Sequence, residues 1–249
     1  FEMQKGFANE LGIKEHLVAV TSTGVIGELL PMEKVKTGIN QILQSKYATE
    51  ENFKNAILTT DTCIKQVAVQ MKIDGKTVSI GGAAKGSGMI HPNMATMLGF
   101  VTTDANIAHE VLLAALKDIT NQTFNMSTVD GDTSTNDMVL VMANGLAGND
   151  QLTKDHPDWD LFKAGLKLVS EELAKKIARD GEGATKLVEV QVNGAYSHEA
   201  ASAVAKSIIS SNLVKTAIYG TDPNWGRIVT AIGYTGIPVE PNALLLAIG

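Results

Sequence analysis

The stretch QVAVQMKIDGKTVSIGG, residues 66–82, sets Asp74-Gly75 between two runs that alternate apolar and polar residues. That dipeptide is a strong short-range hairpin signal, because both residues tolerate the positive φ a two-residue turn demands. A hairpin commits its strands to antiparallel pairing. A purely parallel, doubly wound sheet is therefore a poor description of this chain. Around the hairpin, strand and helix signals alternate. Val35, Ile39, Ile42 and Leu43 recur at three- and four-residue steps and predict a helix over 32–47. Further helices are expected over 109–119, 159–178 and 197–210. LVAVTST (17–23), MATMLGFVTTD (94–104) and KLVEVQVNG (186–194) predict strands, the last closing on an Asn193-Gly194 turn. A Gly-rich loop is expected to follow the hairpin run, within a stretch that holds three glycines from Gly82 to Gly88. With no internal repeat, low-complexity tract or linker, the reading is α+β, hairpins and helices in layers.

Composition narrows the function classes. A net charge of −6 leaves no basic stripe to track phosphates, so no nucleic-acid partner is expected. No uninterrupted apolar stretch approaches the roughly 20 residues a membrane helix needs, so no membrane partner is expected either. A single cysteine, Cys63, forms neither an internal disulfide nor a CxxC zinc site, which predicts a cytoplasmic protein. Residues 1–12 read as a helix already under way that Gly12 stops, not as a signal peptide. With the apolar run at the far end, this predicts a chain cut from something longer on both sides.

Several chemistries fail on spacing. In GGAAKGSGM the Lys precedes the Gly, which does not fit the Walker pattern. DGDTSTND (130–137) opens like an EF-hand loop but has Thr135 at the turn-glycine position and Val141 at the bidentate-Glu position. Turn capping by its Asp and Asn side chains is the expected role, and no metal is expected. The five histidines show no HExxH pairing, and there is no GxSxG elbow.

The densest unusual stretch is AAKGSGMIHPNMATMLGF, residues 83–100. Its glycines permit close backbone approach, Pro92 stiffens a turn, and the small Ala95 directly precedes Thr96. The Thr96 hydroxyl could add to the Ala95 carbonyl to form an ester that water opens. Cleavage would free an α-amine with a reference pKa of about 7.7–8.0, a base on the same residue as the nucleophile. An ordinary Gly-rich loop ending at a strand would look the same.

KGSGMIHPNMATML also resembles the self-cleavage motif of the glutamate N-acetyltransferase (ornithine acetyltransferase) family. TSTGVIG (21–27), AILTTDT (56–62), VDGDTSTNDM (129–138), ARDGEGATK (178–186) and YGTDPNWGR (219–227) match the same family in the same order. The resemblance covers almost the whole chain. It implies a layered α/β/β/α sandwich of the self-processing type. It also implies scission between Ala95 and Thr96, so that 1–95 is the C-terminal part of an alpha chain and 96–249 the N-terminal part of a beta chain. Thr96 becomes the nucleophile of a ping-pong cycle that moves acetyl from N-acetylornithine to glutamate, releasing ornithine and N-acetylglutamate. Thr23 and Gly24 form the oxyanion hole, and Thr59, Lys85 and Glu182 bind substrate together with Thr96. The two chains are expected to associate as a heterotetramer. No bound cofactor is implied. The Bacillus-like members, which this chain resembles, commonly also accept acetyl-CoA, which stands as a second acetyl donor. An N-terminal-nucleophile amidohydrolase or aminopeptidase sharing Thr96 is the first alternative, and a metal-stabilised binding module using 130–137 the second.

Overall fold

The structure, a computed structural model, describes residues 1–42, 49–91 and 97–249. The chain divides into two compact units, Phe1–Leu58 and Thr59–Gly249. The first is helical: α1 (Glu2–Leu11), α2 (Met32–Ile42) and α3 (Glu50–Ala56), with a 3-10 turn at Glu15–Leu17. Gly12, at φ 66°, stops α1 as expected, and the amides of Gly12 and Ile13 bond back to Asn9 and Ala8. Helix α2 carries the predicted periodicity, while Leu43 falls outside the described residues.

The strand expected at Leu17–Thr23 is absent. Among its described residues this unit offers no other strand, and a β-run without a ladder partner leaves its amides and carbonyls to other groups. Here the Gln4 side chain takes the carbonyls of Glu15 and Val18, at 2.9 and 3.0 Å.

The second unit is built on a four-stranded sheet in the order β1 (Lys65–Ile73), β2 (Lys76–Lys85), β3 (Leu98–Thr103), β4 (Met138–Ala143). The β1–β2 hairpin turns at Asp74 (φ 50°) and Gly75 (φ 72°), both in the left-handed region that a tight antiparallel turn requires. Strand β2 pairs antiparallel with β3, bringing Lys85 opposite Leu98. Strand β3 pairs parallel with β4, Leu98 opposite Met138, across a connection that contains α4 (His109–Gln122). The chain is thus α+β, with a mixed sheet.

The Gly-rich loop begins later than the sequence suggests. Gly82 is in mid-strand, and β2 runs on to Lys85 before Gly86 turns at φ 144°. The small residues serve packing instead. Helix α5 (Trp159–Arg179) lies across β1 and β2, and a Cβ on Gly82 would sit 2.8 Å from Leu173 and 3.0 Å from Val169. Phe162, Leu166, Val169, Leu173 and Ile177 repeat at helical spacing and are all buried against the sheet. Each such side chain contributes about 1.5–3 kcal/mol.

Beyond α5, the helices α6 (His198–Ser210), α7 (Asn212–Tyr219) and α8 (Trp225–Gly233) share a second, smaller core of Val204, Ile208, Val214, Ala231 and Ile232. Ser197, Ser211 and Asn224 cap their starts by accepting backbone amides. The predicted strand 186–194 keeps its alternation, Val188, Val190 and Val192 half-buried and Glu189 and Gln191 exposed, but joins no ladder among the described residues. Apolar spacing sets which side of the segment faces the core, whereas a strand also needs a neighbouring backbone. No described helix is long and apolar enough to cross a membrane.

Candidate functional site

Strand β2 ends in Lys85, and the turn that follows is held by charge. The buried Asp61 carboxylate accepts the amides of Gly86 (2.7 Å) and Thr59 (3.1 Å) and pairs with the Lys65 ammonium at 2.5 Å. Lys65 also reaches Asp180, at the end of α5, at 2.5 Å, and Asp180 accepts both the amide and the hydroxyl of Thr62. The Ser87 hydroxyl meets that of Thr60 at 2.7 Å, and its carbonyl accepts the Glu182 amide at 2.8 Å. Loop 59–62, turn 86–88 and the α5 terminus are thereby tied into one cluster. It brings together three of the residues singled out from sequence: Thr59, Lys85 and Glu182.

Gly88 is required by this arrangement. A Cβ there would lie 2.5 Å from the Glu182 carboxyl carbon, so the Glu182 side chain rests directly on the turn. Glu182 also stands at the rim of a cavity of about 690 Å³ bordered by Ala178, Thr128, Lys186 and Lys215.

Burial works against ionising Asp61 and Asp180. Lys65 and the surrounding donors outweigh it, holding Asp61 below the usual carboxylate range and Asp180 at about 2. Lys85 has the opposite balance. Only 4% exposed, it is pushed below the ordinary lysine range by desolvation and by Lys65, with Asp61 and Asp137 pulling it back up.

Asp137, which the sequence reading left inside a turn-capping stretch, is the unexpected member. It immediately precedes β4, and its two carboxylate oxygens are buried without a hydrogen-bond partner among the described residues. Burial raises it to about 7, while the Met97 amide, acting from outside hydrogen-bonding geometry, and Lys85 draw it back. Its one sequence signal was its position, the last acid of 130–137 directly before an apolar run.

Asp130 plays the expected capping part, accepting the amides of Met89 (2.5 Å), Ile90 (2.9 Å) and Asp132 (3.0 Å). It thus fixes Met89 at φ 54°, and the Val129 amide bonds the Ile90 carbonyl at 2.7 Å. The chain leading into residue 92 is held on both sides. Another acidic group, Asp74 with His156 and Asp158, places possible ligand atoms within 4.8 Å of one another. Those groups already fasten the hairpin to the start of α5: Asp158 accepts the Asp74 amide at 2.9 Å, and Asp74 meets His156 at 3.1 Å.

Thr23 and Gly24 belong to the first unit, on the irregular stretch before α2, where Thr23 is half-buried and Gly24 exposed. Ala95 and Thr96 lie outside the described residues.

The model of the ArgJ family matches residues 1–249. The chain belongs to the ArgJ family. It is 62% identical over 247 residues to the arginine biosynthesis bifunctional protein ArgJ of Oceanobacillus iheyensis, covering 99% of this chain and 60% of that one. To the proteins of the same description from Geobacillus stearothermophilus and Bacillus subtilis it is 61% and 60% identical, across 100% of this chain and 61% of each relative. The chain thus spans about three-fifths of the length of the ArgJ relatives it matches. A crystal structure of the arginine biosynthesis bifunctional protein argJ from Bacillus halodurans is similar with a TM-score of 0.57 and 66% identity, over 58% of this chain and 68% of that one.

Proposed function

We propose that the protein is a self-cleaving acetyltransferase of arginine biosynthesis that carries acetyl on Thr96 from N-acetylornithine to glutamate. The observation that carries this reading is the convergence of Thr59, Lys85 and Glu182 on the turn 86–88, in the same stretch of chain that leads to Ala95–Thr96. Membership of a family whose relatives are named for arginine biosynthesis, and for two functions, supports the pathway; acetyl-CoA is part of the proposal as a second acetyl donor.

The Thr96 hydroxyl adds to the Ala95 carbonyl and the C–N bond breaks, freeing the Thr96 amine and leaving an ester; water then hydrolyses the ester to the Ala95 carboxylate and the Thr96 hydroxyl. That cut falls between β2 and β3, dividing the protein into 1–95 and 96–249. The β2–β3 ladder, from Ile80 opposite Thr103 to Lys85 opposite Leu98, and the packing of α5 on β1 and β2 would hold the parts together. Two copies of each part make a heterotetramer. In the acetyl cycle the Thr96 oxygen attacks the acetyl carbonyl and ornithine leaves as the amine; the glutamate amine then attacks the acetyl ester. Thr23 and Gly24 stabilise the oxyanion, where one donor is worth about 10²–10³ in kcat. Lys85 takes the substrate carboxylate as a compact point charge, and the exposed Glu182 takes the ornithine ammonium. The setting is the cytoplasm, with no bound cofactor or metal.

The test is an assay of the full-length protein with N-acetylornithine, with and without glutamate. Glutamate-dependent formation of N-acetylglutamate with release of ornithine is expected. Release of free acetate at the same rate without glutamate would replace this reading with an amidohydrolase.

A further inference from the structure

Two acids share the field of Lys85, and they are held very differently. Asp61, just before β1, is committed to Lys65, the Gly86 amide and the Thr59 amide, and stays charged. Asp137 is buried without such partners among the described residues. The ladder sets it at the same end of the sheet, since Lys85 faces Leu98 and Leu98 faces Met138. The charges facing this pair are Lys85 from β2, Asp61 from the loop before β1, Lys65 from β1 and, through Lys65, Asp180 from the end of α5. Glu182 lies against Gly88 at the turn. With Asp137 ionised, the two ammoniums of Lys65 and Lys85 meet three carboxylates. A substrate carboxylate on Lys85 would make a fourth.

We infer that Asp137 is a positioning residue that serves as a removable counter-charge for Lys85, accepting a proton from solvent when a substrate carboxylate takes its place, so that amino-acid binding is coupled to proton uptake. This rests on the reading of Lys85 as the carboxylate-binding residue. Neighbouring carboxylates resist joint ionisation, and the one with the fewest donors gives way. Asp61 has three donors, so the proton goes to Asp137. Because Asp137 titrates near 7 in the empty protein, binding at pH 7 should take up about half a proton, and close to one at about pH 8. Affinity for a carboxylate ligand should therefore fall as pH rises above 7, by up to about tenfold per unit.

The experiment is calorimetric titration of full-length protein with glutamate, which carries no acetyl group to transfer, at pH 7 and 8 in buffers of different ionisation enthalpy. The expected result is proton uptake in the wild type, with little uptake and a nearly pH-independent affinity in Asp137→Asn. The uptake lost in the variant is the part that depends on the Asp137 carboxylate. Wild-type binding with no net proton exchange at either pH would overturn the inference, as would unchanged uptake in Asp137→Asn. Lys85→Met separates the two levels. Loss of glutamate binding in that variant upholds the Lys85 reading whatever the proton count, and undiminished binding sinks both.

Discussion

Around the sheet, α5 lays five fully buried side chains across β1 and β2, with Gly82 drawing helix and strand into close approach. Around α6, α7 and α8 the core is smaller, made of Val204, Ile208, Val214, Ala231 and Ile232, with Val190 and Val192 pressed on it from a segment that joins no described ladder. Both regions grew from clean apolar periodicity. In the first, hydrogen-bonded strands and buried charge fix the geometry; in the second, side-chain packing and three helix caps do so, with side-chain bonds from Ser207 to the Ala231 carbonyl and from Arg227 to the Leu213 carbonyl. The first region should therefore be the less forgiving, and the site stands on it.

The sharpest way to break that contrast is to remove Lys65. Asp61 and Asp180 would be left buried without their ion-pair partner, and Lys65→Met should cost about 3–5 kcal/mol in denaturant unfolding of the full-length protein. A loss below about 1 kcal/mol would mean the buried triad does not anchor the turn. Next, Leu173→Ala should cost about 3–5 kcal/mol, since the close packing on Gly82 leaves little room to collapse. Ile208→Ala, in the looser cluster, should lie nearer about 2 kcal/mol, and equal losses would erase the distinction. Smaller still, Ser197→Ala should remove about 1 kcal/mol by uncapping α6.

The pH dependence of stability separates the acids by sign. Asp180 is depressed to about 2, so its stabilisation is present above the unfolded value of 3.8 and lost as pH falls from there toward 2. Asp137 is raised to about 7, so between roughly 4 and 7 the folded protein holds a proton the unfolded chain has released, and stability falls as pH rises through that window. In melting curves from pH 4.5 to 8, Asp137→Asn should flatten this decline. An unchanged slope would mean that another group titrates there.

Much of this was legible in the residues. Asp74-Gly75, the helix expected over 159–178 and the Gly12 stop each depend on residues close together in the chain, and each appears in the structure. Leu17–Thr23 and Lys186–Gly194 lack strand pairing because their alternation says nothing about whether another backbone lies alongside. The loop was expected directly after Gly82, three residues too early, because nothing local reveals that β2 runs on to Lys85 with α5 lying on Gly82. At the site, motif matching gave Thr59, Lys85 and Glu182, and the structure supplied what joins them: Asp61, Lys65 and Asp180. Asp137 escaped notice because its significance is a lack of donors, a property of the folded surroundings with no trace in the motif.

The proposed chemistry begins at the Ala95–Thr96 bond, and intact-mass measurement of the full-length protein beside its Thr96→Ala variant tests it most directly. Two chains split before Thr96 in the wild type and a single uncut chain in the variant are predicted. A wild type that remains one chain while transferring acetyl from N-acetylornithine to glutamate at full rate would contradict it.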